Sequence, residues 1–189
     1  MREMGSDHRS DHQTEGVGRP GVAEFLLRYE VEFIINSFMG WVYEITCVWL
    51  VFHYYADRGV MTLPLIPIYA FGGFLLLLFV RKIKNTAALF AISFFVTTVF
   101  ELISSYVLEW IYGYYFWTYS GWPLSIMDRS CVFTSLIFAV MAVFYFKVTH
   151  PLTEKIYGKI KPVHAAVLDV LIAVPVLSDL IISLIREYS

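Results

Sequence analysis

Five apolar stretches, each eighteen to twenty-two residues long, decide most of what this chain can become. They run 33–52, 61–80, 87–108, 131–148 and 164–185. At about 1.5 Å of rise per residue each reaches roughly 27–33 Å as a helix, the thickness of a hydrocarbon core. Charged residues make up 16% of the chain, well below the roughly 25% of soluble domains. No run alternates polar with apolar residues over about ten positions, which disfavours a β-barrel. The expected fold is all-α, an integral membrane bundle of five transmembrane helices.

The flanks complete the organisation. Residues 1–20 are polar, glycine-bearing and aperiodic, and read as a disordered tail. Nothing nearby would order His8 and His12 into a metal site. Residues 21–32 set Val22, Phe25, Leu26 and Tyr29 opposite Glu24, Arg28 and Glu32, the pattern of a juxtamembrane amphipathic turn. Residues 33–189 form the membrane domain. No cleavable leader is evident, so the first apolar block is expected to serve as a retained signal-anchor. Of the fourteen basic residues, eleven fall in the N-terminal region and the connections between blocks two and three and between four and five. Arg58, Arg129 and Arg186 lie on the other side. Positive-inside bias then puts the N-terminus in the cytoplasm and the C-terminus outside.

Against this background Glu44 and Glu101 stand out. A carboxylate at mid-membrane opposes insertion by about 2.5–3.5 kcal/mol on translocon scales, so each needs a partner, a proton or a function. Glu44 falls about 16 Å along its span and Glu101 about 21 Å along its own. Ser105 and Glu109 continue the face of Glu101 at one-turn intervals. The external connection that follows, 109–130, holds eight aromatic residues, among them Trp117 and Tyr119. It reads either as an interfacial belt or as a partly re-entrant cap over a cavity. The glutamates read structurally as hydrogen-bond acceptors across helices, and functionally as the lining of a polar cavity that takes up a proton, cation or amine.

Absences narrow the chemistry. No GxxxxGK[ST], GxSxG, HExxH or CxxC motif occurs. No basic stripe supports nucleic-acid binding. Cys47 and Cys131 lie in apolar runs as packing residues, and His53, His150 and His164 share no metal-ligand spacing. Neither a metal nor another cofactor is expected.

Three segments carry a resemblance. SFMGWVYE (37–44) followed by DRGVMTLPLIPIYAFGG (57–73), the long stretch 100–138 with its E-x-x-x-S-x-x-x-E helix and WTYSGWP loop, and KVTHPLTEKI (147–156) occur in order over about 33–157. The chain resembles the bacterial family of ABC-transporter type IV membrane proteins. Where the family has Trp-Asp-Tyr-Ser this chain has Thr118, and where it has Asn and Gly before the arginine Ser125 and Asp128 stand here. The usual Tyr-Gly-Pro is Thr62-Leu63-Pro64. The resemblance carries over Glu44, Arg58, Tyr69, Glu101, Ser105, Glu109, Trp117, Tyr119 and Arg129 as motif positions. It implies a multi-pass protein of the bacterial inner membrane, acting in transport.

Three readings follow. In the first, Glu44 and Glu101 line an outward-facing cavity for a small solute or proton, with Arg58 and Arg129 at its mouth. Five short helices rarely enclose a path alone, so a homo-oligomer or other membrane subunits are implied, and ATP drive would need a separate ATPase on the basic loops. The second is an enzyme acting on a lipid or isoprenoid, with a Glu as base and the arginines clamping phosphate or carboxylate. The third is an assembly or sensor subunit that uses the aromatic loop.

Overall fold

The computed structural model describes residues 22–56, 59–157 and 159–188. The expected tail at 1–20 and Arg58 lie outside these residues. Six α-helices follow in order: α1 (Val22–Phe52), α2 (Pro67–Val80), α3 (Thr86–Tyr112), α4 (Val132–Phe144), α5 (His150–Tyr157) and α6 (Pro162–Tyr188). A π-helical turn, Tyr145–Thr149, joins α4 to α5 without a break. A two-residue antiparallel pair, β1 (Ser125–Ile126) with β2 (Ser130–Cys131), is the one departure from an all-helical fold among the described residues.

Four helical stretches are long and apolar enough to cross a bilayer: Phe25–Val51, Thr86–Tyr112, Val132–Tyr157 and Pro162–Arg186. The protein is therefore a multi-helix membrane protein. The block at 61–80 behaves differently, because only its second part is helical and α2 has fourteen residues. Prolines explain this. Pro64 and Pro67 lack amide hydrogens and disfavour helix in the residues before them, so the helix starts with Pro67 in its first turn. Tyr69 packs against Gly40 and Gly73 against Asn36, which sets the start of α2 beside the middle of α1. The residues before it, 59–66, are not helical.

Such backbone is tolerated at membrane depth only where its polar groups find partners. Here Ile66 N–H donates to the Ser37 carbonyl (3.1 Å) and Leu63 N–H to Asp179 Oδ2 on α6 (2.9 Å). Met61 and Leu65 are buried. Asp179, an acid in an apolar helix, thus has a structural use.

Helix α1 is central and packs on α2, α5 and α6, while α3 packs on α4 and α2. The segment 22–32 is the first part of α1 itself, with Val22, Phe25 and Leu26 turned outward and Leu27 and Glu32 buried. In a bilayer that polarity is the stable one: apolar side chains meet lipid and polar ones meet each other. A dry cluster of Leu76, Val80, Leu89 and Ala142 joins α2, α3 and α4 near the α2–α3 connection. Asn85 caps α3 there, its side-chain oxygen accepting from the amides of Ala87 (2.9 Å) and Ala88 (3.1 Å). Helix α6 lies at the periphery and exposes most of its apolar residues.

Candidate functional site

A cavity of about 100 Å³, room for several waters, lies among α1, α2, α3, α4 and the loop after α3. Glu44 of α1 and Glu101 of α3 both line it, together with Tyr69, Trp117 and Tyr119. Tyr69 Oη donates to Glu44 Oε1 at 2.7 Å, and Tyr119 Oη donates to Glu101 Oε1 at 2.7 Å. Each acid therefore has a tyrosine partner. Among the described residues no lysine, arginine or histidine lines the cavity.

Glu101 is the more deeply held of the two, at 7% exposure. Its second oxygen accepts from Ser130 Oγ at 2.6 Å. Thr98 Oγ1 donates to Ser135 Oγ (2.8 Å), which lies 3.5 Å from Ser130 Oγ, so a hydroxyl chain leads from the acid into the α3–α4 interface.

The loop after α3 reaches the cavity by its own internal structure. Gly113 ends α3 in the left-handed conformation (φ 80°), where a side chain would be strained, and its N–H caps the Glu109 carbonyl. A tight turn at Met127 and Asp128, both with positive φ, then closes β1 onto β2. That turn has the sign pattern of a type I′ hairpin, and it directs Arg129 and Ser130 inward. Tyr119 N–H bonds the Asp128 carbonyl (2.9 Å), and Trp117 Nε1 bonds the Arg129 carbonyl (3.0 Å). The aromatic loop divides its work: Trp117 and Tyr119 line the cavity, whereas Trp110 (86% exposed) and Tyr115 face outward. Burial, and then the adjoining Glu101 carboxylate, push the Tyr119 phenol up, so it remains a donor.

Arg129, expected at the mouth, is instead buried in a cluster of its own beside the cavity. Its Nη1 donates to Ser105 Oγ (3.2 Å) and its Nη2 to Glu109 Oε2 (2.5 Å) and Tyr115 Oη (3.2 Å). The guanidinium lies over the Tyr106 ring, 3.8 Å from its centroid. Ser105, Glu109 and Arg129 thus form one group, joined to the cavity through Ser130. The structure brings five of the nine candidates to the cavity and three to this neighbouring cluster; Arg58 lies outside the described residues.

A second buried acid was not singled out from the sequence. Glu32, fully buried on α1, accepts from Tyr145 Oη (2.5 Å), Thr153 Oγ1 (2.5 Å) and Arg28 Nε (3.1 Å), with His150 Nδ1 at 3.0 Å. The π-helical turn makes this possible. Pro151 offers no amide hydrogen, the helix widens by one residue, and His150 N–H bonds the Tyr145 carbonyl. Tyr145 and His150 then face α1 together. The ring of Tyr145 also lines the cavity, so this cluster adjoins it. The KVTHPLTEKI motif was the available signal, since it contains both His150 and Thr153.

Asn36 also lines the cavity and leaves its side-chain nitrogen without a protein partner. Among the described residues no group of three or more His, Cys, Asp or Glu could hold a metal ion.

Carboxylates from two long apolar helices meet at one cavity inside a multi-helix membrane protein. The family model described as Putative ABC-transporter type IV matches residues 31–184, and the chain belongs to that family. Nothing among curated proteins or solved structures matches it.

Proposed function

We propose that this chain is a permease-like membrane subunit whose Glu44 and Glu101 together bind a proton or a small cationic solute in an outward-facing cavity. The observation that carries this reading is that two acids from α1 and α3 line one cavity, with no basic side chain among its described lining residues. Like charges in a low-dielectric space repel strongly, so the pair favours a proton or cation between them. Tyr69 and Tyr119 each donate to one carboxylate oxygen and so orient the two acids at the cavity. Hydrogen-bonded tyrosine–acid pairs orient a binding site without supplying competing charge.

The outward opening is inferred from position. The aromatic loop, external under the positive-inside rule, supplies Trp117 and Tyr119 at one end. The Glu32 clamp adjoins the cavity at Tyr145. In this reading the membrane is the bacterial inner membrane, the path is completed by a second copy or by another membrane subunit, and any ATP drive comes from a separate ATPase at the basic connections. The enzyme alternative is disfavoured by Arg129. A phosphate clamp requires free guanidinium donors toward the substrate, and Arg129 is committed to Glu109, Ser105 and two tyrosine rings.

The test is flux in reconstituted vesicles, with protons, alkali cations and small alkylammonium ions offered in turn. Wild type should move at least one of these, and Glu44→Gln or Glu101→Gln should each reduce that flux at least about tenfold. Variants that match wild type with every ion that crosses would remove the glutamates from the function.

A further inference from the structure

A second hollow, of about 780 Å³, lies between α1, α2, α3 and the π-helical turn, at the end of the bundle where α2 gives way to α3. Its rim carries Arg28, Arg81, Lys147 and His150 against one acid, Glu154, which is already 3.5 Å from Arg28. Lys147 Nζ donates to the Lys84 carbonyl (3.1 Å), which draws the basic turn after α2 over the same rim. Arg81 and Lys147 are exposed, and among the described residues neither is paired with a carboxylate.

The wall below the rim has the opposite character. Phe25, Phe74, Leu77, Leu78, Leu89 and Phe146 line it. Leu78 (80% exposed) and Phe25 (51%) continue outward into the apolar surface of the bundle. A fixed-charge rim above an apolar wall open to the lipid side matches one chemistry, an anionic headgroup attached to hydrocarbon chains. A free phosphate would use the rim and leave the wall empty.

We propose that this hollow is a binding site for an anionic phospholipid, its phosphodiester held by Arg81 and Lys147 and its acyl chains laid along the apolar wall. The position agrees with the charge distribution: this is the end assigned to the cytoplasm, and anionic lipids of that leaflet attract clustered basic residues. His150 and Arg28 belong both to this rim and to the Glu32 clamp. A lipid seated here therefore touches the clamp that adjoins the cavity, although the binding site stands independently of the transport reading.

The experiment uses the full chain in a neutral maltoside detergent, offered phosphatidylglycerol and phosphatidylcholine of identical acyl composition, with retained lipid read by native mass spectrometry. Phosphatidylglycerol should be retained in clear preference, and less so as salt rises. Each of Arg81→Ala and Lys147→Ala should weaken retention about fivefold, and the pair about thirtyfold. The melting temperature should stay unchanged for Arg81→Ala and fall only slightly for Lys147→Ala, which loses the one exposed bond to the Lys84 carbonyl. Equal retention of the two lipids, or a double variant that binds like wild type, overturns the proposal. So does inorganic phosphate binding as tightly as phosphatidylglycerol, which would make this a free-anion site.

Discussion

Replacing Glu32 with Gln tests how the bundle is held closed. The side chain is fully buried and receives two hydroxyl donors, one guanidinium donor and the His150 ring. Gln keeps the shape but exchanges one acceptor oxygen for an amide donor and removes the charge facing Arg28. A hydrogen bond to a charged group contributes about 1.5–3 kcal/mol, and breaking a buried ion pair by removing one partner costs about 3–5 kcal/mol. Some of that is recovered, because Tyr145 or Thr153 can still donate to the amide oxygen. The expected loss for Glu32→Gln is about 3 kcal/mol. Tyr145→Phe removes one donor from an acid that keeps three others, and should cost about 1–1.5 kcal/mol, within the range measured between membrane helices. The double variant should fall short of the sum by about 1 kcal/mol, since the Tyr145–Glu32 bond can be lost only once. Unfolding in mixed micelles of increasing dodecyl sulfate fraction, followed by far-ultraviolet circular dichroism, measures all three. A Glu32→Gln variant within about 0.5 kcal/mol of wild type, or strict additivity, would refute the clamp.

Other outcomes follow from particular contacts. A Cβ at Gly40 would collide with ring atoms of Tyr69, so Gly40→Ala should displace that ring and destabilise by about 1–3 kcal/mol, with loss of solute binding as Tyr69 leaves Glu44. The same micelle titration and a binding assay read both effects. Met127 is 68% exposed at φ 55°, so Met127→Asn should stabilise the chain by about 0.5–1 kcal/mol, and a destabilised variant would contradict the turn assignment. Single cysteines at Lys82 and Lys159 should be labelled by an impermeant thiol reagent only from the cytoplasmic side, and one at Ser120 only from outside; the reverse pattern would invert the proposed topology.

Much of the fold is readable in the sequence because lipid imposes a simple rule: residues in hydrocarbon must be apolar and their backbone must be helical. Hence the stretches at 87–108 and 164–185 lie within α3 and α6. The block at 61–80 is apolar too, but hydropathy is blind to Pro64 and Pro67, which hold its first part out of the helix. The span ending at Val148 continues through the π-helical turn to Tyr157: the polarity of KVTHPLTEKI suggests a loop, whereas its buried Thr153 bonds Glu32 of α1. Charge alone identifies Glu44 and Glu101. It does not identify Glu32, which sits at the polar end of an amphipathic stretch and reads as solvated until α5 is folded over it. Nor does it foresee that Arg129 turns inward, which depends on the backbone of Met127 and Asp128.

The account rests on Glu44 and Glu101 acting as one unit. Infrared difference spectra of the reconstituted protein, taken across an acid titration, report the protonated carboxyl of each directly. Glu101→Gln should shift the titration and the C=O frequency of Glu44, and Glu44→Gln should do the same to Glu101, because the two acids line the same cavity. Two bands that titrate independently, each vanishing with its own substitution and leaving the other unmoved, would contradict it.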